Sequence, residues 1–284
     1  MNIIDFFLQN TGTFYLFVIL FSLSVGSFLN VVIYRFPLML EKNWKSQCRE
    51  LLDLKQEIEK EITLSKPAST CPNCQHKIRA WENIPVVSYL FLKGKCSQCR
   101  THISFQYPAI EILTALLSLV VAINFGVSWQ TLAGMVLTWS LIAMAMIDLH
   151  KMILPDDLTL PVLWLGLLLS LFNIFTDPVS SIIGAVAGYM ILWMVYQTFK
   201  LLTGKEGMGY GDFKLLALFG AWFGWEQLPL VIILSSATGA VIGITMMLIK
   251  KHQREQPIPF GPYLAIAGWI CMLWGSQITD WYLG

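Results

Sequence analysis

Long apolar runs recur along most of the chain, and no other feature constrains its fold as strongly. In hydrocarbon every backbone N–H and C=O must find its partner inside the protein, so a run of near-spanning length reads as a helix. Such runs cover about 12–34, 108–124, 130–147, 158–175, 181–200, 213–225, 229–249 and 260–279, with 213–225 short. They predict an all-α polytopic membrane protein of about eight transmembrane helices. Charged residues make up 13% of the chain, about half the roughly 25% usual in a soluble domain. No basic residue precedes the first apolar run, so that run lacks the start of a cleavable signal and is expected to stay.

The distribution of charge orients the spans. If connections alternate sides, all 19 Lys and Arg residues fall on or beside one set of loops, 35–107, 148–157, 201–212 and 250–259. The opposite set carries only the acids Asp5, Asp177, Glu226 and Asp280. Basic residues mark the cytoplasmic side. Both termini are therefore expected outside the cytoplasm. The expected division is 1–36 as the first transmembrane helix, 37–107 as a cytoplasmic domain, and 108–284 as a seven-helix core. A net charge of +1 gives no reason to expect a nucleic-acid partner; the lipid bilayer is the expected surrounding.

Within 37–107, Glu41–Leu64 is charged, lacks Gly and Pro, and predicts a moderately amphipathic helix. Beyond Lys66 the composition turns to Cys, Pro, Asn and Gly. A segment so small gains from a metal or crosslinks. Cys71-Pro-Asn-Cys74 and Cys96-Ser-Gln-Cys99 are two C-x-x-C knuckles, and each directs two thiolates to one point. Together they make the four-sulfur set of a structural zinc ribbon. Redox dithiols are the competing reading, and a cytoplasmic location favours metal over disulfides. Four thiolates leave no open coordination position for catalysis. Cys48 and Cys271 stand alone as ordinary residues.

Two acids sit where apolar runs meet loops. Asp148 ends one run, in Met-Ile-Asp-Leu-His-Lys-Met-Ile-Leu-Pro-Asp. Asp212 lies in Gly207-Met-Gly-Tyr-Gly-Asp-Phe-Lys214, at the start of another. Taken singly, Asp148 suits an interfacial carboxylate and Asp212 a helix N-cap, with Gly209 and Gly211 permitting the turn. Asp156 and Asp157 suit the start of a helix. As a pair, Asp148 and Asp212 can share a proton and hold a water. One then deprotonates the water while the other polarises a peptide carbonyl. No Gly-x-Ser-x-Gly, His-Glu-x-x-His or Walker loop is present to support another hydrolytic chemistry.

Asp148 with Leu154-Pro155-Asp156, followed by Gly209-Tyr210-Gly211-Asp212, resembles the aspartic prepilin leader peptidases, GxGD-type enzymes of bacterial inner membranes. The resemblance extends to Gly26-Ser27-Phe28-Leu29-Asn30-Val31-Val32, the two cysteine knuckles, Glu82-Asn83-Ile84-Pro85 and Pro259-Phe260-Gly261-Pro262-Tyr263. It implies an inner-membrane aspartic endopeptidase with Asp148 and Asp212 as catalytic residues. Its substrates would be type IV prepilins and the pseudopilins of type II secretion, cut after the basic leader. It also implies methylation of the new N-terminal residue with S-adenosylmethionine as donor.

Glu111 stands just inside the second span, three residues after Pro108. An ionisable group at that depth is a candidate site, near methyl transfer or substrate access. The bland alternative is a first-turn carboxylate favouring the helix dipole. The rival function is a proton-coupled transporter or channel with Asp148 and Asp212 as relay carboxylates. Such a protein would want ionisable groups near mid-membrane, and the spans hold almost none.

Overall fold

A computed structural model describes residues 3–55, 62–250 and 259–283, which fall into two compact units, Met1–Val127 and Ser128–Gly284. The described residues contain ten α-helices and no strand, only two isolated β-bridges. Each of the eight expected apolar runs contains a helix, but the run 158–175 stops being helical at Ser170 and turns over 171–175. Among the described residues, five helices are long and apolar enough to cross a membrane on length and composition.

The first unit holds α1 (Ile3–Gln9), α2 (Thr11–Leu51), α3 (Val87–Phe91) and α4 (Gln106–Phe125). The first span and the charged stretch after it are one continuous helix of 41 residues, about 60 Å long. The helix expected over Glu41–Leu64 ends at Leu51, because Asp53 turns the chain with φ of 52°. Positions 56–61 of that expectation lie outside the described residues, and 62–64 are not helical. Helices α2 and α4 pack closely at Gly26. A Cβ there would lie 2.7 Å from the Glu111 Cα. Small residues at such seams let two backbones approach. Asn30 then ties the pair together, its Nδ2 donating to Gly26 O at 3.2 Å and to Tyr107 O at 3.0 Å.

The second unit holds α5 (Trp129–Lys151), α6 (Asp156–Ser170), α7 (Pro178–Thr203), α8 (Tyr210–Phe223), α9 (Leu228–Lys250) and α10 (Gly261–Leu283). Its core is α8. Phe213, Leu215, Leu216, Leu218, Phe219, Ala221 and Trp222 are all buried, on every side of the helix. A helix apolar all round belongs inside a bundle. That accounts for the shortness of this run, since a helix of 14 residues rises only about 21 Å. Helix α7 lies against it through Gly184 and Gly220, where a Cβ on either would strike the other's backbone. Ser181 Oγ donates to Ala221 O across the same seam at 2.5 Å, and Trp222 Nε1 donates to Val162 O on α6 at 2.8 Å.

Candidate functional site

In the first unit the two cysteine knuckles fold as near-copies. Cys71 N–H bonds to His76 O and Cys96 N–H to Thr101 O, each at 2.9 Å. The residues four places on, Gln75 and Arg100, take φ of 58° and 59° and donate back to Cys71 O and Cys96 O. Each knuckle is closed by one β-bridge, Thr70 with Lys77 and Lys95 with His102.

The four sulfurs converge. Cys71 Sγ is 3.7 Å from Cys99 Sγ, Cys74 Sγ is 3.9 Å from Cys96 Sγ, and all four lie within 4.8 Å of one another. Four sulfurs about 2.3 Å from a tetrahedral zinc stand about 3.8 Å apart, so the donor set fits. The thiols themselves ask for a cation. Thr101 holds Cys99 down to about 5, through its hydroxyl and its N–H. At Cys74 the His76 N–H works against burial and the three other sulfurs, and the thiol is pushed up to about 11. Adjacent thiolates do not all ionise unless a positive charge joins them.

In the second unit, α5 runs past Asp148 to Lys151, so Asp148 sits in the last turn and its carbonyl accepts the N–H of the left-handed residue Met152 at 2.8 Å. Asp148 is 6% exposed. Its Oδ2 accepts the N–H of Gly261, the first residue of α10, at 3.0 Å. That N–H has no partner within its own helix, so the carboxylate caps α10 from another helix. Asp212 is 7% exposed and is the third residue of α8, not its N-cap. The N-cap is Gly209, whose N–H the Asp212 carboxylate takes up.

The two carboxylates act on each other electrostatically. Leu154 links their supports. A Cβ on Gly211 would lie 2.6 Å from Leu154 Cβ, and a Cβ on Gly261 would lie 3.2 Å from Leu154 Cδ1 and 2.6 Å from Asp148 Oδ2. Three loops, 148–155, 207–212 and 259–261, therefore meet around one leucine. Gly211 is required for space. Neither Gly209 nor Gly211 has a positive φ, so the expected conformational role falls away at both, and at Gly209 a Cβ would meet only Asp212 Oδ2 at 3.8 Å.

Further residues hold the Asp212 loop. Lys214 Nζ donates to both oxygens of Asp156, at 2.6 and 2.7 Å, and joins the first turns of α8 and α6. Lys200 Nζ pairs with Glu206 Oε1 at 2.9 Å, while Tyr196, Tyr210 and Phe213 meet as a tilted aromatic trio with centroids 5.3–5.7 Å apart. Sequence reasoning gave no role to Gly261, Lys214 or Leu154. The signals were the Pro-Phe-Gly-Pro run and the lysine two residues beyond Asp212, but neither names its partner.

Glu111 lies in the first unit and is 7% exposed. Its Oε2 accepts the N–H of Val86 at 2.7 Å, and the Ser27 hydroxyl also bonds to it. Val86 has φ of 60°, a strained value for a β-branched residue. The carboxylate thus joins α2, α4 and the turn after Glu82-Asn83-Ile84-Pro85.

Fold and site together define a polytopic membrane protein with a buried pair of carboxylates at helix ends and a tetracysteine knuckle domain. The model of the bacterial peptidase A24 N-terminal domain matches residues 20–125, and that of the type IV leader peptidase family matches 135–244. The chain belongs to the type IV leader peptidase family. It is 56% identical over 269 residues to a prepilin leader peptidase/N-methyltransferase of Aeromonas salmonicida (strain A449), covering 94% of this chain and 92% of that one. It is 54% identical over 284 residues to the protein of that name from Stutzerimonas stutzeri, covering 100% and 98%. A third, from Pseudomonas aeruginosa, is 54% identical over 285 residues with the same coverage. No solved structure matches.

Proposed function

We propose that this chain is an inner-membrane aspartic endopeptidase that removes the basic leader from type IV prepilins and pseudopilins. The observation that carries the proposal is the convergence of Asp148 and Asp212, both buried and each held by a backbone donor, with Leu154 packed against Gly211 and Gly261 beside them. One carboxylate takes a proton from water and the protonated partner donates to the scissile carbonyl oxygen. The tetrahedral intermediate then collapses as a proton passes to the leaving amine. A prepilin is an apolar helix with a charged leader. Its scissile bond therefore lies at the membrane interface, where helix ends such as those bearing the two aspartates belong.

The aspartates and the segment 37–107 face the cytoplasm in this reading, both termini are periplasmic, and 108–284 forms the catalytic core. Zinc at Cys71, Cys74, Cys96 and Cys99 is structural, closing the two knuckles and taking no part in hydrolysis. The relatives are named N-methyltransferases as well, which supports a second activity; in this reading it methylates the new terminal residue with S-adenosylmethionine as donor. The transporter reading is not favoured, because Asp148 and Asp212 both lie at helix ends and not within the length of a span.

The deciding experiment is cleavage of a purified prepilin in detergent, read by mass. Loss of the leader supports the peptidase, and a further gain of one methyl group supports the second activity. An unchanged prepilin mass with folded, metal-loaded protein would defeat both.

A further inference from the structure

The segment between the two cysteine knuckles carries its side chains in the reverse of the pattern for a helix in water. On α3, Val87, Leu90 and Phe91 stand at i, i+3 and i+4, which is one face of the helix. They are 44%, 69% and 83% exposed, while Ser88 and Tyr89 turn inward. In the 3-10 turn before it, Ala80–Asn83, Trp81 is also 51% exposed, and Ile84 follows at 47%. The solvated face of a soluble segment would be charged or polar at these positions.

Two further observations say what covers this face. Tyr89, from the inward side of α3, packs edge-on against Phe105 with centroids 6.5 Å apart, and its hydroxyl donates to Ile103 O at 3.4 Å. Phe105 is the residue before α4, which is long and apolar enough to cross a membrane. The bare face is thus pinned one aromatic pair from the place where the chain leaves water for hydrocarbon. Phe105 and Tyr107 are themselves exposed there, in the manner of aromatic side chains at a membrane interface. The exposed charges of the same knuckle segment are basic: Lys77, Arg79, Lys93 and Arg100. The nearby acid, Glu82, is turned inward onto the Arg79 N–H at 2.8 Å and His76 Nε2 at 3.2 Å. Exposed apolar groups accompanied by lysine and arginine complement an anionic phospholipid surface.

We infer that Trp81, Ile84, Val87, Leu90 and Phe91 dock on the anionic bilayer surface beside the start of α4. The knuckle segment is then a peripheral membrane module within an integral membrane protein. Its apolar face lies among the headgroups and its basic residues sit on their phosphates. The inference is independent of the proposed peptidase chemistry, since it concerns lipid and none of the residues assigned to hydrolysis.

The test uses the full chain in nanodiscs of phosphatidylethanolamine with a varied share of phosphatidylglycerol. With Phe91 replaced by the photoreactive p-benzoyl-phenylalanine, illumination is expected to give phospholipid adducts at position 91. In the unaltered protein, backbone hydrogen exchange over residues 84–92 is expected to slow about fivefold as phosphatidylglycerol is added. Lys93→Glu should remove much of that dependence, with metal content unchanged as the check on folding. Adducts mainly to a second copy of the chain or to an added prepilin, or the absence of lipid adducts, would overturn the inference. Exchange indifferent to phosphatidylglycerol in the unaltered protein would do the same without relying on any substitution.

Discussion

The backbone N–H of Gly261 donates to Asp148 Oδ2 at 3.0 Å, across 113 residues of sequence. The bond joins the end of α5 to the beginning of α10 and leaves no room for a side chain at position 261, where a Cβ would stand 2.6 Å from that oxygen. Asp212 is held in a comparable way by the N–H of Gly209. Each proposed catalytic carboxylate therefore takes a backbone donor at a helix start. Donors of that kind do not reorganise when the charge on the acid changes, which suits groups that exchange a proton during turnover.

Asp148→Asn and Asp212→Asn are each expected to lower prepilin cleavage by about 10²-fold or more, the share that one positioned acid or base contributes. An Asn carbonyl still accepts from Gly261 N–H, so Asp148→Asn should unfold near the wild-type temperature. Asp148→Ala should lose activity and also some stability. Mass-read cleavage and thermal unfolding of the three variants check both halves. Processing at wild-type rate by either Asn variant would remove that residue from the reaction.

Gly211→Ala places a methyl group 2.6 Å from Leu154 Cβ and pushes the start of α8 away from the 148–155 loop. Cleavage is expected to fall about tenfold or more, as small displacements of reacting groups are costly. Adding Leu154→Gly to the same chain removes the Cβ that the new methyl group strikes and should restore part of the rate. Rates for the single and double variants give the comparison. Gly209→Ala, whose Cβ meets only Asp212 Oδ2 at 3.8 Å, should be much milder than Gly211→Ala.

What the sequence disclosed and what it withheld divide along physical lines. Apolar runs and C-x-x-C spacing are local patterns, and the eight helices and the four converging sulfurs were legible from them. The continuity of α2 was not, because Pro37 and the change to a charged composition both suggest a break, while the helix runs through to Leu51. At the site, the two aspartates stood out as acids beside hydrocarbon. Leu154 and Gly261 did not, since their importance lies in close approach between loops far apart in the chain. Likewise the Lys214–Asp156 pair spans 58 residues, and Asp156 alone reads as an ordinary first-turn acid.

Glu206 lies outside the spans, and the Lys200 ammonium bonded to it holds its carboxyl below the usual range, with Tyr196 and the Lys200 charge adding to the effect. A carboxyl lowered on folding contributes stability above its unfolded pKa, about 4.3, and loses it as pH falls through the folded value. Hydrogen exchange over 204–209 should therefore be slower in the wild type than in Glu206→Gln at neutral pH. The two should converge as the medium is taken below pH 4. The pair is exposed, so added salt should shrink the difference as well.

Cys96→Ser is expected to abolish stoichiometric zinc and to raise hydrogen exchange throughout 69–104, since three sulfurs cannot close both knuckles. Elemental analysis beside exchange mass spectrometry reads both. A chelator applied to the wild type should reproduce the exchange pattern and reverse on adding zinc. A zinc-free wild type with the same exchange as the variant would end the structural-metal reading.

Glu111→Gln separates a structural carboxylate from a reacting one. Its Oε2 accepts the Val86 N–H at 2.7 Å, and Val86 is held at φ of 60°, so the contact fixes a strained turn. A Gln carbonyl can still accept that N–H but without charge, and bonds to charged groups contribute about 1.5–3 kcal/mol against about 1 for neutral ones. The variant should therefore lose on the order of 1 kcal/mol of stability and keep most of its cleavage activity. Glu111→Ala, which also leaves the half-buried Val86 N–H unpaired, should lose about 1 kcal/mol more. If Glu111→Gln instead keeps its stability and loses methylation while cleavage persists, the carboxylate acts in the second reaction and its bond to Val86 is incidental.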